Sequence, residues 1–335
     1  MDSDDSSHEW TQAPSTAPDN FPMMSSGCDF EEGEQIAGVL RYIVQELGRL
    51  LDLDRLDGIT FAADYSQALA KLDRGFESTI PLEPSTEHGT GIAMTPLVMR
   101  DGVVKSYIVF DLAVVRHITD VKNEHWQLAF NLIAHECAHV HDHKKFDVSF
   151  PGLLLRTHYR DVEEGNLWQI IHACWVEYAA TRLSSGFGFD QTSAYEETFL
   201  VVLSAAQQRA NDRIKAYRLH GDHAKILADV CTEYGTLLKF ASYLIGQLAG
   251  LDRDLSAAPK AESALAGHWF APFFIRLAQA LEGVWERYGK WTSVSDFDPV
   301  GEVAKDLVAW GGVLISRTSS NQVRIDVPFS LDTMP

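Results

Sequence analysis

One apolar helical stretch constrains this chain more than any other segment, because it carries six ionisable side chains where a helix would bury them. Trp126, Leu128, Ala129, Phe130, Leu132 and Ile133 are followed at once by His135, Glu136, His139, His141, Asp142 and His143. Buried ionisable groups are costly unless they are hydrogen-bonded, paired or bound to a metal. Any fold of this chain must therefore bring partners to this helix. Within it, His135-Glu136-Cys137-Ala138-His139 is an HExxH motif. Residues four apart project from one helical face, so His135 and His139 can share one tetrahedral ion. Glu136 lies beside that face, placed to hold and deprotonate a water rather than to bind the ion itself.

A zinc ion that keeps one position open for water needs a third protein ligand. A metzincin would have a histidine six residues past His139, where Lys145 stands, and the Gly-Cys-Leu-Ser segment of peptide deformylases does not occur. That leaves a ligand from a later helix. Glu177, in the segment Trp168 to Ser185, is flanked on a helical wheel by Ala173, Cys174, Ala180, Thr181 and Ser184, all small. Small residues let two helices approach closely, as a carboxylate must to reach an ion held by its neighbour. The expected set is thus Zn2+ held by His135, His139 and Glu177, with Glu136 catalytic. The plainer alternative pairs Glu177 with Arg182 or leaves it solvated.

Around this segment the pattern is mainly helical. Residues 1–30, rich in Ser, Asp and Pro, read as a disordered acidic tail. Apolar residues then recur at three- and four-residue steps from Glu34 to Leu51, and a shorter helix is expected over Ala62 to Leu72. Pro81, Pro84, Gly89 and Gly91 mark a loop. Thr95 to Met99 and Val103 to Phe110 are β-prone, and Arg100-Asp101-Gly102 between them favours a tight antiparallel hairpin. Helices are expected near 123–143, 164–184, 191–219, 222–250, 261–289 and 300–311, with a last strand at Gln322 to Val327. The fold class expected is α+β, mainly helical, with one small antiparallel sheet and a helical C-terminal region over 190–335.

Charge and cysteine usage narrow the function. The chain has 47 acidic against 28 basic residues, and residues 1–40 hold nine acids without one Lys or Arg. Such a balance repels phosphate backbones, so a nucleic-acid partner is not expected. Tyr234 to Gly250, the most apolar stretch, is short and interrupted by Lys239, which reads as a buried helix rather than a membrane span. The N-terminus lacks the basic and apolar regions of a secretory signal. Four scattered cysteines without a CxxC pair suit a reducing compartment, and a cytoplasmic location is expected.

The motif resembles the gluzincin metallopeptidases, especially their cytoplasmic ImmA/IrrE-like branch, and its run His-Glu-x-Ala-His-Val resembles the HtpX-type membrane peptidases. In these families the next helix carries Glu-x-x-Ala-Asn or Glu-x-x-x-Asp. Glu177, Ala180 and Thr181 match those positions, with Thr181 departing from the usual Asn or Asp. The resemblance covers residues 103–185. It implies a zincin-like metallopeptidase domain over 31–189, hydrolysis of a peptide bond in a specific protein or peptide substrate, and a substrate held as an added strand along Val103 to Phe110. The alternative is a zinc-stabilised, catalytically silent regulatory or interaction module. Among weaker features, His141 and His143 are expected in a last helical turn facing the dipole, and Asp142 could orient an imidazole. Cys137 reads as core. His158, Tyr159, His172 and Tyr178 are candidates to stabilise the oxyanion.

Overall fold

The structure, a computed structural model, describes residues 13–78, 81–84 and 91–334. Gly89 of the expected loop and residues 1–12 of the expected tail lie outside the described residues. The rest of that tail is structured: Ala17 and Phe21 are buried, and Met23–Ser26 forms β1. Helix α1, Phe30–Leu47, is started by Asp29, whose carboxylate accepts from the Glu32 N–H at 2.9 Å. Its stripe of Ile36, Leu40, Ile43, Val44 and Leu47 is buried.

The stretch expected to begin a helix at Ala62 holds the end of a strand. Strand β2 is Leu56–Ala62 and helix α2 is Tyr65–Lys71. Then come β3, Ala93–Met94, β4, Leu97–Arg100, and β5, Val103–Asp111. The hairpin forms as its turn chemistry demands: Leu97 pairs with Ser106 and Arg100 with Val103. Both residues between them are left-handed, Asp101 at φ 51° and Gly102 at φ 77°. The sheet, however, is mixed rather than antiparallel. Strands β1 and β2, and β2 and β5, pair in parallel. Parallel pairing needs distant segments, so no local turn signal announces it. Strand β5 is consequently internal, with β2 on one side and β3 and β4 on the other, and cannot offer the free edge expected of Val103 to Phe110.

After the one-turn helix α3, Leu112–Val115, helix α4 runs from Trp126 to Ser149. It passes the expected end at 143 because Phe146 is buried in the core and Asp147 pairs with Arg55. His141 and His143 are thus inside the helix, not in its last turn. Helices α5, Val162–Ser184, α6, Thr192–His220, and α7, His223–Gly250, follow. The helix expected over 261–289 is two: α8, Pro259–Leu265, and α9, Ala271–Trp285. Gly267, left-handed at φ 74°, breaks them apart, and Pro272 suits the first turn of the second. Helix α10, Asp298–Trp310, precedes a hairpin of β6, Leu314–Arg317, and β7, Val323–Asp326.

The protein is α+β and mainly helical. One apolar cluster joins the sheet, α1 and the first half of α4. A larger one joins the end of α4 to α5 through α10. Helix α5 belongs to both, through Ala180 in the first and Trp175 and Tyr178 in the second. No helix among the described residues is long and apolar enough to cross a membrane.

Candidate metal centre

The three expected ligands converge. His135 Nε2 and His139 Nε2, one turn apart on α4, are 3.2 Å from each other, and each is 3.5 Å from Glu177 Oε2 on α5. Metal bonds of about 2.0–2.1 Å in tetrahedral directions put neighbouring ligand atoms about 3.3–3.4 Å apart. The triangle therefore has the size that an ion of this kind requires. Glu177 Oε2 is buried and has no hydrogen-bond donor, so the site presents a carboxylate oxygen that lacks a cation. Among the described residues these three form the one group of His, Cys, Asp and Glu side chains so disposed. The alternative partner for Glu177 is engaged elsewhere: Arg182 pairs with Glu282 and the Tyr178 hydroxyl.

Electrostatics bind the trio further. Burial opposes a charge on His139, yet the facing Glu177 carboxylate, with Glu136 and Asp142, raises its pKa to about 9. Burial likewise opposes ionisation of Glu177, but His135 and His139 hold it well below the usual carboxylate range.

The site lies in a cleft of about 430 Å³. Thr95, just past β3, forms one wall and Phe240 and Tyr243 of α7 another, with Glu136, His139 and Glu177 at the base. Glu136 is held in place: the Thr95 hydroxyl donates to its Oε2 at 2.6 Å. The strand edge facing this cleft is β3, not β5.

None of the four expected oxyanion donors lines the cleft. The Tyr178 hydroxyl donates to Glu282, His158 and Tyr159 stay with Arg156 on a loop, and His172 packs beside Phe146 and Trp168. Tyr243 lines the cleft instead. Its ring stacks on His135 at 6.0 Å and 18° and on Tyr195 of α6 at 5.4 Å. Burial first, then the Glu177 charge, pushes its pKa well above 10, so it stays a neutral phenol. Sequence reasoning missed it because Tyr243 sits in the apolar stretch of α7, where nothing local separates it from a core tyrosine.

The small residues beside Glu177 serve a second contact besides the expected one with α4, where Ala180 packs. A Cβ on Gly246 of α7 would lie 3.2 Å from the Thr181 Cβ, and one on Gly250 2.9 Å from that of Ser185. This face of α5 thus fits against α7 as well as α4. The Thr181 hydroxyl donates back to the Glu177 carbonyl in its own helix and orients no imidazole. Asp142 is fully buried with its carboxyl facing the Tyr288 hydroxyl and the Trp175 indole. Burial raises its pKa to about 7. Cys137 is core.

No protein-family model, no curated protein and no solved structure matches this chain.

Proposed function

We propose that this protein is a zinc-dependent metallopeptidase of the gluzincin type, acting on a protein or peptide substrate. The observation that carries the reading is the triangle of His135 Nε2, His139 Nε2 and Glu177 Oε2, sized for one tetrahedral ion and left with a buried, donor-less oxygen. Two imidazoles and a carboxylate suit zinc. Zinc bound there supplies an activated water and polarises a carbonyl. Glu136, pinned by Thr95, takes the water's proton and passes it to the leaving amine. Tyr243 donates from the cleft wall to the carbonyl oxygen as it gains charge. The edge of β3 is available to pair with an extended peptide backbone. A net charge of −19 favours such a substrate over nucleic acid, and four free cysteines support a reducing, cytoplasmic location.

The test is elemental analysis of the purified protein beside His139→Ala, together with peptide hydrolysis by Glu136→Gln. About one zinc per chain is expected in wild type and in Glu136→Gln, with zinc lost from His139→Ala. Cleavage of a mixed peptide library should occur only with wild type. Undiminished cleavage by Glu136→Gln refutes the mechanism, and zinc without any turnover favours the silent interaction module.

A further inference from the structure

A third imidazole reaches the cleft. His143 follows His139 by one turn of α4, its ring 5.9 Å away at an interplanar angle of 27°, and it is half-buried and lines the cleft. Its Nδ1 is 2.9 Å from Ser106 Oγ on the internal strand β5. Ser106 is 1% exposed, and its hydroxyl makes this single hydrogen bond among the described residues. That arrangement decides which atom donates. Were the ring the donor, the serine proton would be buried without an acceptor, at a cost that an O–H avoids whenever a lone pair is beside it. The Ser106 hydroxyl therefore donates to Nδ1. A neutral imidazole that accepts at Nδ1 carries its own hydrogen on Nε2.

We propose that His143 is a substrate-binding residue: Ser106 fixes its Nε2–H tautomer, and that N–H donates to a backbone carbonyl oxygen of a polypeptide lying in the cleft. A nitrogen that bears hydrogen has no lone pair for a metal, so His143 is not a fourth ligand, and the open position stays with water. Tyr243 stacks on His135 while His143 stacks on His139. The two donors flank different imidazoles and so serve different oxygens of one extended chain. The identity of the bound group rests on the metallopeptidase reading; the tautomer does not.

The experiment has two arms. Protein labelled with 15N-histidine is examined by long-range 1H–15N correlation, metal-free and zinc-loaded, with His143→Gln assigning the signal. The Nε2–H pattern is expected in both forms, and Ser106→Ala should admit the Nδ1–H tautomer. An Nδ1–H pattern in wild type, or a ligand-type shift of Nε2 on adding zinc, overturns the proposal. In the second arm, trialanine hydroxamate is titrated into zinc-loaded protein. His143→Ala should bind it about 3- to 10-fold more weakly, the worth of one hydrogen bond, with zinc content unchanged and part of the affinity restored in His143→Gln. Equal binding by His143→Ala overturns the assignment. Failure of wild type to bind zinc at all sinks the metallopeptidase reading instead, and the first arm still judges the Ser106–His143 pair.

Discussion

Histidines two positions apart on α4 meet quite different surroundings. His141 points away from the ligand triangle, its Nδ1 accepting from the Asp52 N–H at 2.7 Å and its ring against Tyr288. Burial, with the charges of Lys145 and Lys144, lowers its pKa to about 4. Burial also lowers His172 to about 4, helped by His139. Both are neutral in the folded chain, whereas in the unfolded chain each takes up a proton near pH 6.5. Folded values below the unfolded one mean a stabilising contribution that is complete above about pH 6.5 and is lost as pH falls toward 4. The melting temperature of the metal-free protein is therefore expected to drop across that window, with a shallower drop in His172→Gln. Equal slopes for the two proteins would count against this account. The motif itself was legible because HExxH needs only helical spacing. The roles of His141 and His143 were not, because the partners that separate them, Asp52 and Ser106, are far away in sequence.

The contact between α5 and α7 shows how an element acquires its place. A Cβ on Gly246 would lie 2.6 Å from the Tyr178 carbonyl oxygen, and one on Gly250 2.4 Å from that of Arg182. These glycines let two backbones approach, and Glu177 stands on α5 next to the first of these contacts, Tyr178. Alanine ordinarily stabilises a helix interior by about 1 kcal/mol relative to glycine. Gly283→Ala in α9, where nothing lies within 4 Å, should show that gain as a raised melting temperature. Gly246→Ala should lose stability by about 1–3 kcal/mol, the usual cost of overpacking, and loosen zinc binding by shifting Glu177. Calorimetry of the two variants checks the contrast, and a stabilised Gly246→Ala would show that the helices are not in close contact. The small residues around Glu177 are plain in the sequence, but which helix they face is not. A wheel ranks the sides of one helix without naming its neighbours.

At the scale of the molecule, the C-terminal region over 190–335 packs on the segment before it through a shared core. The larger apolar cluster runs from Phe146 through Trp175 and Tyr178 to helices α6 to α10. Tyr178 and Arg182 are tied to Glu282, and Glu163 at the start of α5 to Lys305 and Arg317. The C-terminal helices also supply Tyr243 and Phe240 to the cleft. A chain ending at residue 189 would leave Trp175 and Tyr178 uncovered, each worth about 2–3 kcal/mol of burial. It should fail to fold cooperatively and bind no zinc with native affinity, as thermal unfolding followed by circular dichroism and elemental analysis would reveal. A cooperative melt from that fragment would show that it folds without the C-terminal region.

The local sequence determined most of the helices, the Asp101-Gly102 hairpin and the candidate trio of His135, His139 and Glu177, since periodicity, turn chemistry and residue type act over a few positions or, for Glu177, through one improbable carboxylate in a small-residue stripe. Only the tertiary structure decided that the sheet is mixed, that β3 and not β5 borders the cleft, and that Tyr243 and His143 line that cleft beside the trio. Each of these depends on which distant backbone edge or helix face becomes a neighbour. That choice is made by the burial of the whole core and leaves no mark on any short segment.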